Sequence, residues 1–169
     1  PLADEVYMNG DDKNLVMSCE HIWGVQNPDH QSLVDPFFKE EGKNFRATQQ
    51  IALLNNNYEL SVHPNDIRMK LKRYWEEVTG TTGKRITYYY KYTGSDAYSA
   101  LNLVPVIRVA EMYLICAETL SGTEGKKYWT DYRVARNMNN SIDEELNSPE
   151  KMKSQLEKEY HKEFYGEGQ

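Results

Sequence analysis

Long apolar runs are missing from this chain of 169 residues. Residues 104–120 come closest to the length that a membrane span needs, and Arg108, Glu111 and Glu118 interrupt them. A basic excess is missing too. Lys and Arg total 20 against 26 Asp and Glu, for a net charge of -6. The cations are scattered among acids, so no basic stripe follows a phosphate backbone, and nucleic acid is not an expected partner. Cysteine is scarce. Cys19 and Cys116 lie in different kinds of segment without a metal-type spacing, and they read first as two separate buried thiols, with one disulfide as the alternative. His21, His30, His63 and His161 form neither an H-x-x-x-H nor an H-E-x-x-H pattern, so no metal is expected. G-x-S-x-G, P-loop and dinucleotide fingerprints are absent, and no cofactor is expected. The opening Pro1-Leu2-Ala3-Asp4 has neither a charged nor an apolar leader region, so an export signal is expected outside this chain, and both ends read as cut.

Aromatics, in contrast, are plentiful. Tyr 13, Trp 3 and Phe 4 set the chain apart from disordered sequences despite a mean hydropathy of -0.79. Aromatic rings must carry much of the core, and tyrosine suits surfaces that are half apolar and half hydrogen-bonding.

Residues 1–60 have weak periodicity. Asn9-Gly10-Asp11-Asp12 and Asn27-Pro28-Asp29 are turn clusters. Between them Met17, Cys19, Trp23 and Val25 alternate with Ser18, Glu20 and Gly24, which predicts a short half-buried strand with Trp23 packed inward. Asp35-Pro36-Phe37-Phe38 reads as a turn and an aromatic anchor, and residues 46–54 as a short helix ended by Asn55-Asn56-Asn57. From Arg68 the pattern is alternating. It turns at Gly80-Thr81-Thr82-Gly83 and resumes at Ile86, Tyr88, Tyr90 and Tyr92, which is a β-hairpin signal.

Residues 105–120 predict a helix opened by Pro105. At 100° per residue its apolar positions fill an arc of roughly 220°, too wide for packing on one side, so neighbours are expected on two sides. Ala110 and Ala117 share one stripe and leave room for a close backbone approach. Ser121-Gly122 ends this helix. Residues 124–139 predict a second helix, with Tyr128, Tyr132 and Ala135 on one face. The two make an αα-hairpin, the unit of tetratricopeptide-type repeats. A last helix has Ser148 as N-cap, Pro149 at its first position, Met152, Leu156, Tyr160 and Phe164 every fourth residue, and Gly166 as terminator. Lys158/Lys162 and Glu159/Glu163 are like-charge pairs one turn apart, so these charges are expected to find partners elsewhere, Arg108 being one candidate.

Four stretches carry a resemblance. Residues 104–118, VPVIRVAEMYLICAE, are similar to the P-x-IR-x-AE-hydrophobic-x-L-x-x-AE helix of SusD/RagB-like proteins. Residues 157–168, EKEYHKEFYGEG, resemble the ER-x-x-EF-x-GEG helix end of that family, with Tyr160 standing where the pattern has Arg. Glu20-His21-Ile22-Trp23-Gly24-Val25 is similar to a family strand, and Asp66-Ile67-Arg68 to its D-x-R step. The resemblance covers residues 15–169. It implies a mainly α fold of tetratricopeptide-like helix pairs, with an irregular insert containing a short β-hairpin. Residues 1–103 would be the insert region and 104–169 the helical part, both within one larger domain. It also implies a lipid-anchored, surface-exposed outer-membrane protein that binds an oligosaccharide or other nutrient above a TonB-dependent transporter, with its anchor and remaining segments outside this chain.

Charges on a packed helix read first as structure. Arg108, Glu111, Glu118, Glu159 and Glu163 are expected to form a buried ion-pair network that clamps the two motif helices together. Glu159 and Glu163 also stand near the separation of a retaining glycosidase pair, but two acids on one helix turn without a cleft are the weaker reading. Aromatics are the better ligand candidates, because sugars present apolar C–H faces to rings. Trp75, Tyr74, Tyr88 and Tyr90 of the hairpin are the residues selected, and Trp23 and Trp129 read as packing residues. The sequence thus points to non-enzymatic glycan capture. A helical-repeat interaction scaffold is the alternative, and a glycoside hydrolase the third reading.

Overall fold

The structure, a computed structural model, describes residues 1–4, 17–30, 32–33, 58–59, 61–68, 75–79, 85–89, 102–138, 147–165 and 167, with the backbone alone for 75–79 and 85–89. The expected turns at 9–12, 35–38 and 80–83, the helix over 46–54 and the Gly166 cap lie outside the described residues, as do Tyr74 and Tyr90. The described fold is mainly helical with short antiparallel strands. In chain order the strands are β1 (His21–Gln26), β2 (Trp75–Thr79), β3 (Arg85–Tyr89) and β4 (Leu103–Arg108). The helices α1 (Val109–Thr119), α2 (Gly122–Ala135) and α3 (Pro149–Glu163) follow.

The hairpin has the expected form: β2 and β3 pair antiparallel, with Trp75 opposite Tyr89 and Glu76 opposite Tyr88. Strand β4 is a departure from expectation. Residues 103–108 do not open the helix; they pair antiparallel with β1, Gly24 opposite Pro105 and Val25 opposite Val104. Val104, Val106 and Ile107 are β-branched and favour the pleat, and a proline holds the residue before it extended. The helix starts only at Val109, with Arg108 as an extended N-cap (φ -120). The sheet thus joins the region before residue 104 to the helical part.

Strand β1 also differs from the expected alternation. Ser18–Glu20 is a 3-10 turn, and the β1–β4 register slips on both sides of Trp23. The period-two pattern is reset there. Glu20, expected on the wet face, is fully buried, while Trp23 is 57% exposed, with Ile22 and Val25 exposed beside it. The turn Asn27-Pro28-Asp29 is present, with the Asp29 amide donating to Asn27 Oδ1 at 3.1 Å.

Helix α1 packs against both α2 and α3, the two neighbours that its wide apolar arc called for. Its buried residues are Ala110, Leu114 and Ala117. Two residues link α1 to α2, and the linkage depends on glycine twice. Gly122 has φ +65, a conformation that side chains disfavour. At Gly125 a Cβ would lie 2.3 Å from the Leu120 carbonyl and 3.2 Å from that of Ala117, so only glycine lets these backbones meet. Tyr113 and Tyr128 meet edge to face across the pair, centroids 5.4 Å apart.

Helix α2 ends with a Schellman turn. Asn137 adopts φ 55, its amide donates to the Val134 carbonyl, and the Met138 amide donates to that of Arg133. Helix α3 begins as expected, with Pro149 first and the Ser148 hydroxyl accepting from the Lys151 amide. The core between the helices comprises Ala110, Leu114, Ala117, Trp129, Tyr132, Met138, Leu156 and Phe164. Cys19 and Cys116 are half-buried and form no disulfide. No described helix is long and apolar enough to cross a membrane.

Candidate functional site

The ends of the elements converge on one point. Arg108 closes β4 and caps α1, and Arg136 is the C-cap residue of α2. Glu159 and Glu163 lie one turn apart on α3, and Glu167 follows in the turn beyond it. Glu20 ends the 3-10 turn before β1, and the turn segment 58–68 brings in Asp66 and Arg68. Chain order separates these residues widely; only the docking of α3 against α1 and α2 gathers them.

Glu163 is the hub. Its Oε1 lies 2.8 Å from Arg108 Nη1 and 2.8 Å from Arg136 Nη2. Its Oε2 accepts from Arg136 Nε at 2.9 Å and from Arg68 Nη1 at 3.3 Å. Arg108 also bonds Glu20 at 3.1 Å, Glu167 at 2.8 Å and the main-chain oxygen of Glu163 at 3.0 Å. Arg136 reaches Glu20 at 2.9 Å and the Ala3 carbonyl at 2.7 Å. Arg68 forks onto Asp66 and also lies 2.9 Å from Glu159. The Tyr132 hydroxyl lies 3.2 Å from Glu159 and 3.0 Å from Glu163, sharing its proton between them. Lys162 bridges Glu159 at 2.6 Å and Glu59 at 2.8 Å. Rings seal the cations, Phe164 over Arg108 at 4.9 Å and Tyr132 over Arg136 at 5.2 Å.

The electrostatics follow from the closed geometry. Burial alone would raise the Glu159 carboxyl, but Arg68 and Lys162 outweigh it and bring it down to about 2. Burial acts the same way on Glu163, and Arg136, Arg108 and Arg68 overcome it, holding this carboxyl well below the usual range. Burial, with Glu163 and Glu159 nearby, pushes the Tyr132 hydroxyl up. Both glutamates are depressed on folding, so their stabilisation is complete above the unfolded value of 4.5 and is lost as pH falls below it toward 2. Glu159 alone is expected to forfeit on the order of 3 kcal/mol over that window. Urea unfolding between pH 6 and pH 2.5 measures this, and a midpoint that holds steady across the window would contradict it.

Of the residues selected from sequence, Arg108, Glu159 and Glu163 are brought together here. Glu111 and Glu118 are not: Glu111 is half-buried and Glu118 exposed, and both lie beside Tyr160, where burial and these two acids raise the hydroxyl. The reason is the late start of α1. Arg108 leaves a strand and turns into the cluster, while the two acids follow the helix away from it. Glu20, Asp66, Arg68, Arg136 and Tyr132 were not anticipated as members. The D-x-R step was the one available signal, since it places an acid and an arginine two residues apart. The retaining-pair idea for Glu159 and Glu163 loses its basis, because such chemistry needs one carboxyl raised enough to donate a proton, and both are held ionised and sealed from solvent.

The sugar candidates divide differently. Trp75 and Tyr88 occupy adjacent rather than opposite ladder positions of β2 and β3. Trp23 is the large exposed ring among the described residues, and Ile22, Val25 and Val106 of the β1–β4 ribbon are exposed as well. A groove of about 580 Å³ lies where α1 ends and α2 and α3 begin, but no aromatic lines it, so it offers a sugar no stacking surface. Among the described residues no His, Cys, Asp or Glu group is arranged to hold a metal ion. No family model, no curated protein and no solved structure matches this chain.

Proposed function

We propose that this chain is part of a SusD/RagB-like surface lipoprotein that captures an oligosaccharide without cleaving it and passes it to a TonB-dependent outer-membrane transporter. One observation carries the reading. The stretches that resemble the family supply most members of the buried cluster, namely Glu20, Asp66 and Arg68, Arg108, and the Glu159–Glu163–Glu167 series, while Arg136 and Tyr132 of α2 come from outside them. Motifs distant in sequence that meet as ion partners support a shared architecture better than motifs that merely occur in order. In this reading α1 and α2 form one tetratricopeptide-like pair, and the lipid anchor and further helix pairs belong to segments outside the chain. Fixed by the cluster, the β1–β4 ribbon holds the exposed Trp23 on a rigid base, a suitable stacking surface for a pyranose ring. Trp75, Tyr88, Tyr74 and Tyr90 remain the hairpin candidates.

A second reading, a protein-interaction scaffold, is favoured by the aliphatic company of Trp23. Ile22, Val25 and Val106 offer a sugar few hydrogen bonds but fit an apolar protein surface. Affinity electrophoresis of the full protein in gels containing soluble starch, xylan, pectin or mucin glycans separates the readings. Glycan capture is expected to retard migration in at least one gel, with no shortening of the polysaccharide, and Trp23→Ala or Trp75→Ala is expected to weaken it at least tenfold. Unchanged migration in every gel favours the scaffold, and polysaccharide cleavage favours the hydrolase.

A further inference from the structure

We infer that the turn segment 58–68 is an acid-sensitive strap whose hold on α2 and α3 is weakened when His63 takes up a proton. The segment is anchored at both ends. At the first, the Tyr58 hydroxyl donates to the Lys162 carbonyl at 3.0 Å, and Glu59 pairs with Lys158 at 2.6 Å and Lys162 at 2.8 Å. At the second, the Ile67 amide donates to the Arg136 carbonyl at 3.0 Å, and Asp66 and Arg68 enter the buried cluster. Between the anchors lie two tight turns, with the Val62 and His63 amides on the Glu59 carbonyl and the Asp66 amide on that of His63. Ser61, Val62, Pro64 and Asn65 face solvent, and His63 alone among these middle residues is turned inward, only 2% exposed.

The surroundings of the imidazole do not favour a proton. Arg133 of α2 and Lys162 of α3 face it as cations, and both are buried. The acids that face it, Glu159 of α3 and Glu59 of the strap itself, are already engaged by Lys162. Burial first, and then the two cations, hold the imidazole below its ordinary 6.5, so the closed strap binds a proton less readily than an open one. An opened strap returns His63 to water and to that ordinary value. Opening therefore takes up a proton, and its equilibrium constant rises as pH falls below 6.5, by up to about tenfold per pH unit. The carboxylates do not share this window, because Glu59 and Glu159 are shifted downward from 4.5. Release withdraws Asp66 and Arg68 from Glu159 and Glu163, so the strap converts mild acidity into a loosening of the cluster that ties the elements together.

Amide hydrogen exchange of the full chain at pH 7 and pH 5, corrected for intrinsic exchange, tests this. The strap amides of Val62, His63, Asp66 and Ile67 are expected to open measurably more at pH 5 than at pH 7, while the interior amides of α2 change by much less. His63→Gln is expected to flatten the strap's response. His30→Gln, at a second buried histidine in the turn after β1, is expected to leave it intact. A strap that ignores pH, a response that survives His63→Gln or vanishes in His30→Gln, or equal loosening of strap and helices overturns the proposal. Should His63→Gln not fold, the wild-type His63 titration followed by NMR decides. A midpoint below 6.5 that tracks strap opening supports the strap, and a midpoint at or above 6.5 overturns it.

Discussion

Glu163→Gln is expected to destabilise the fold by about 3–5 kcal/mol, the cost of stranding buried charges after one-sided removal of their partner. The side chain keeps its shape, so packing is not the cause. Three arginines lose their common counter-charge: Arg108 and Arg136 at 2.8 Å and Arg68 at 3.3 Å. Arg108 retains Glu20 and Glu167, Arg136 retains Glu20, and Arg68 retains Asp66 and Glu159, so the cluster is weakened rather than dissolved. A carboxamide also turns a donor toward guanidinium groups that have only donors to offer. Equilibrium urea unfolding measures the change. Adding Arg136→Met is expected to restore part of the loss, with a coupling of about 0.5–3 kcal/mol between the two sites. A single variant within about 1 kcal/mol of wild type would mean that the network is far better hydrated than its burial states. The network as a whole need not make the protein more stable than an apolar replacement would, since desolvation offsets much of the attraction. Its contribution is registry: each arginine belongs to a different element, and only one docking of α1, α2 and α3 satisfies all of them.

Trp129→Ala is the second large effect, expected at about 3–5 kcal/mol. Trp129 is fully buried in the core that α1, α2 and α3 share. Its ring stacks on Tyr132 with centroids 6.0 Å apart, and the Arg133 guanidinium lies 5.4 Å above it. The alanine leaves a cavity and frees Tyr132, whose hydroxyl lies between Glu159 and Glu163. Loss in the apolar core therefore spreads to the ionic one. Trp129→Phe separates packing from hydrogen bonding. The indole Nε1 is buried without a hydrogen-bond partner among the described residues, so phenylalanine removes an unsatisfied donor and only part of the volume. It is expected to cost well under half as much as alanine in thermal or urea unfolding. Equal losses for the two variants would show that Nε1 holds a bond that matters more than the ring's volume.

These elements also mark how far a linear reading reaches. Helix α3 was legible almost to the residue, because Ser148, Pro149 and the four-residue spacing of Met152, Leu156, Tyr160 and Phe164 act through neighbours one turn away. The hairpin was legible for the same reason, since period-two alternation about a glycine-rich turn is a local signal. The start of α1 was misread. Pro105 suits the first turn of a helix and also a strand beside a partner, and nothing within 103–108 reveals that β1 lies alongside. Trp23 was misread because a 3-10 turn and a register slip reset the alternation, and such a slip depends on both strands together. In the cluster, Arg108, Glu159 and Glu163 could be named because their charges sat on otherwise apolar or like-charged faces. Arg136, at an ordinary helix end, and Glu20, at an expected wet position, gave no such sign.

The amino-acid order by itself determined the Ser148–Pro149 start of α3, the periodicities of that helix and of the hairpin, and the class of residues that had to be buried with partners. Those properties arise from contacts within a turn or a pleat, where sequence distance and spatial distance are nearly the same. Tertiary structure alone decided which charges meet, that residues 103–108 are a strand, and that Trp23 faces solvent while His63 does not. Each of these requires segments dozens of residues apart to be brought together, and a buried charge selects its partner only after the helices have docked.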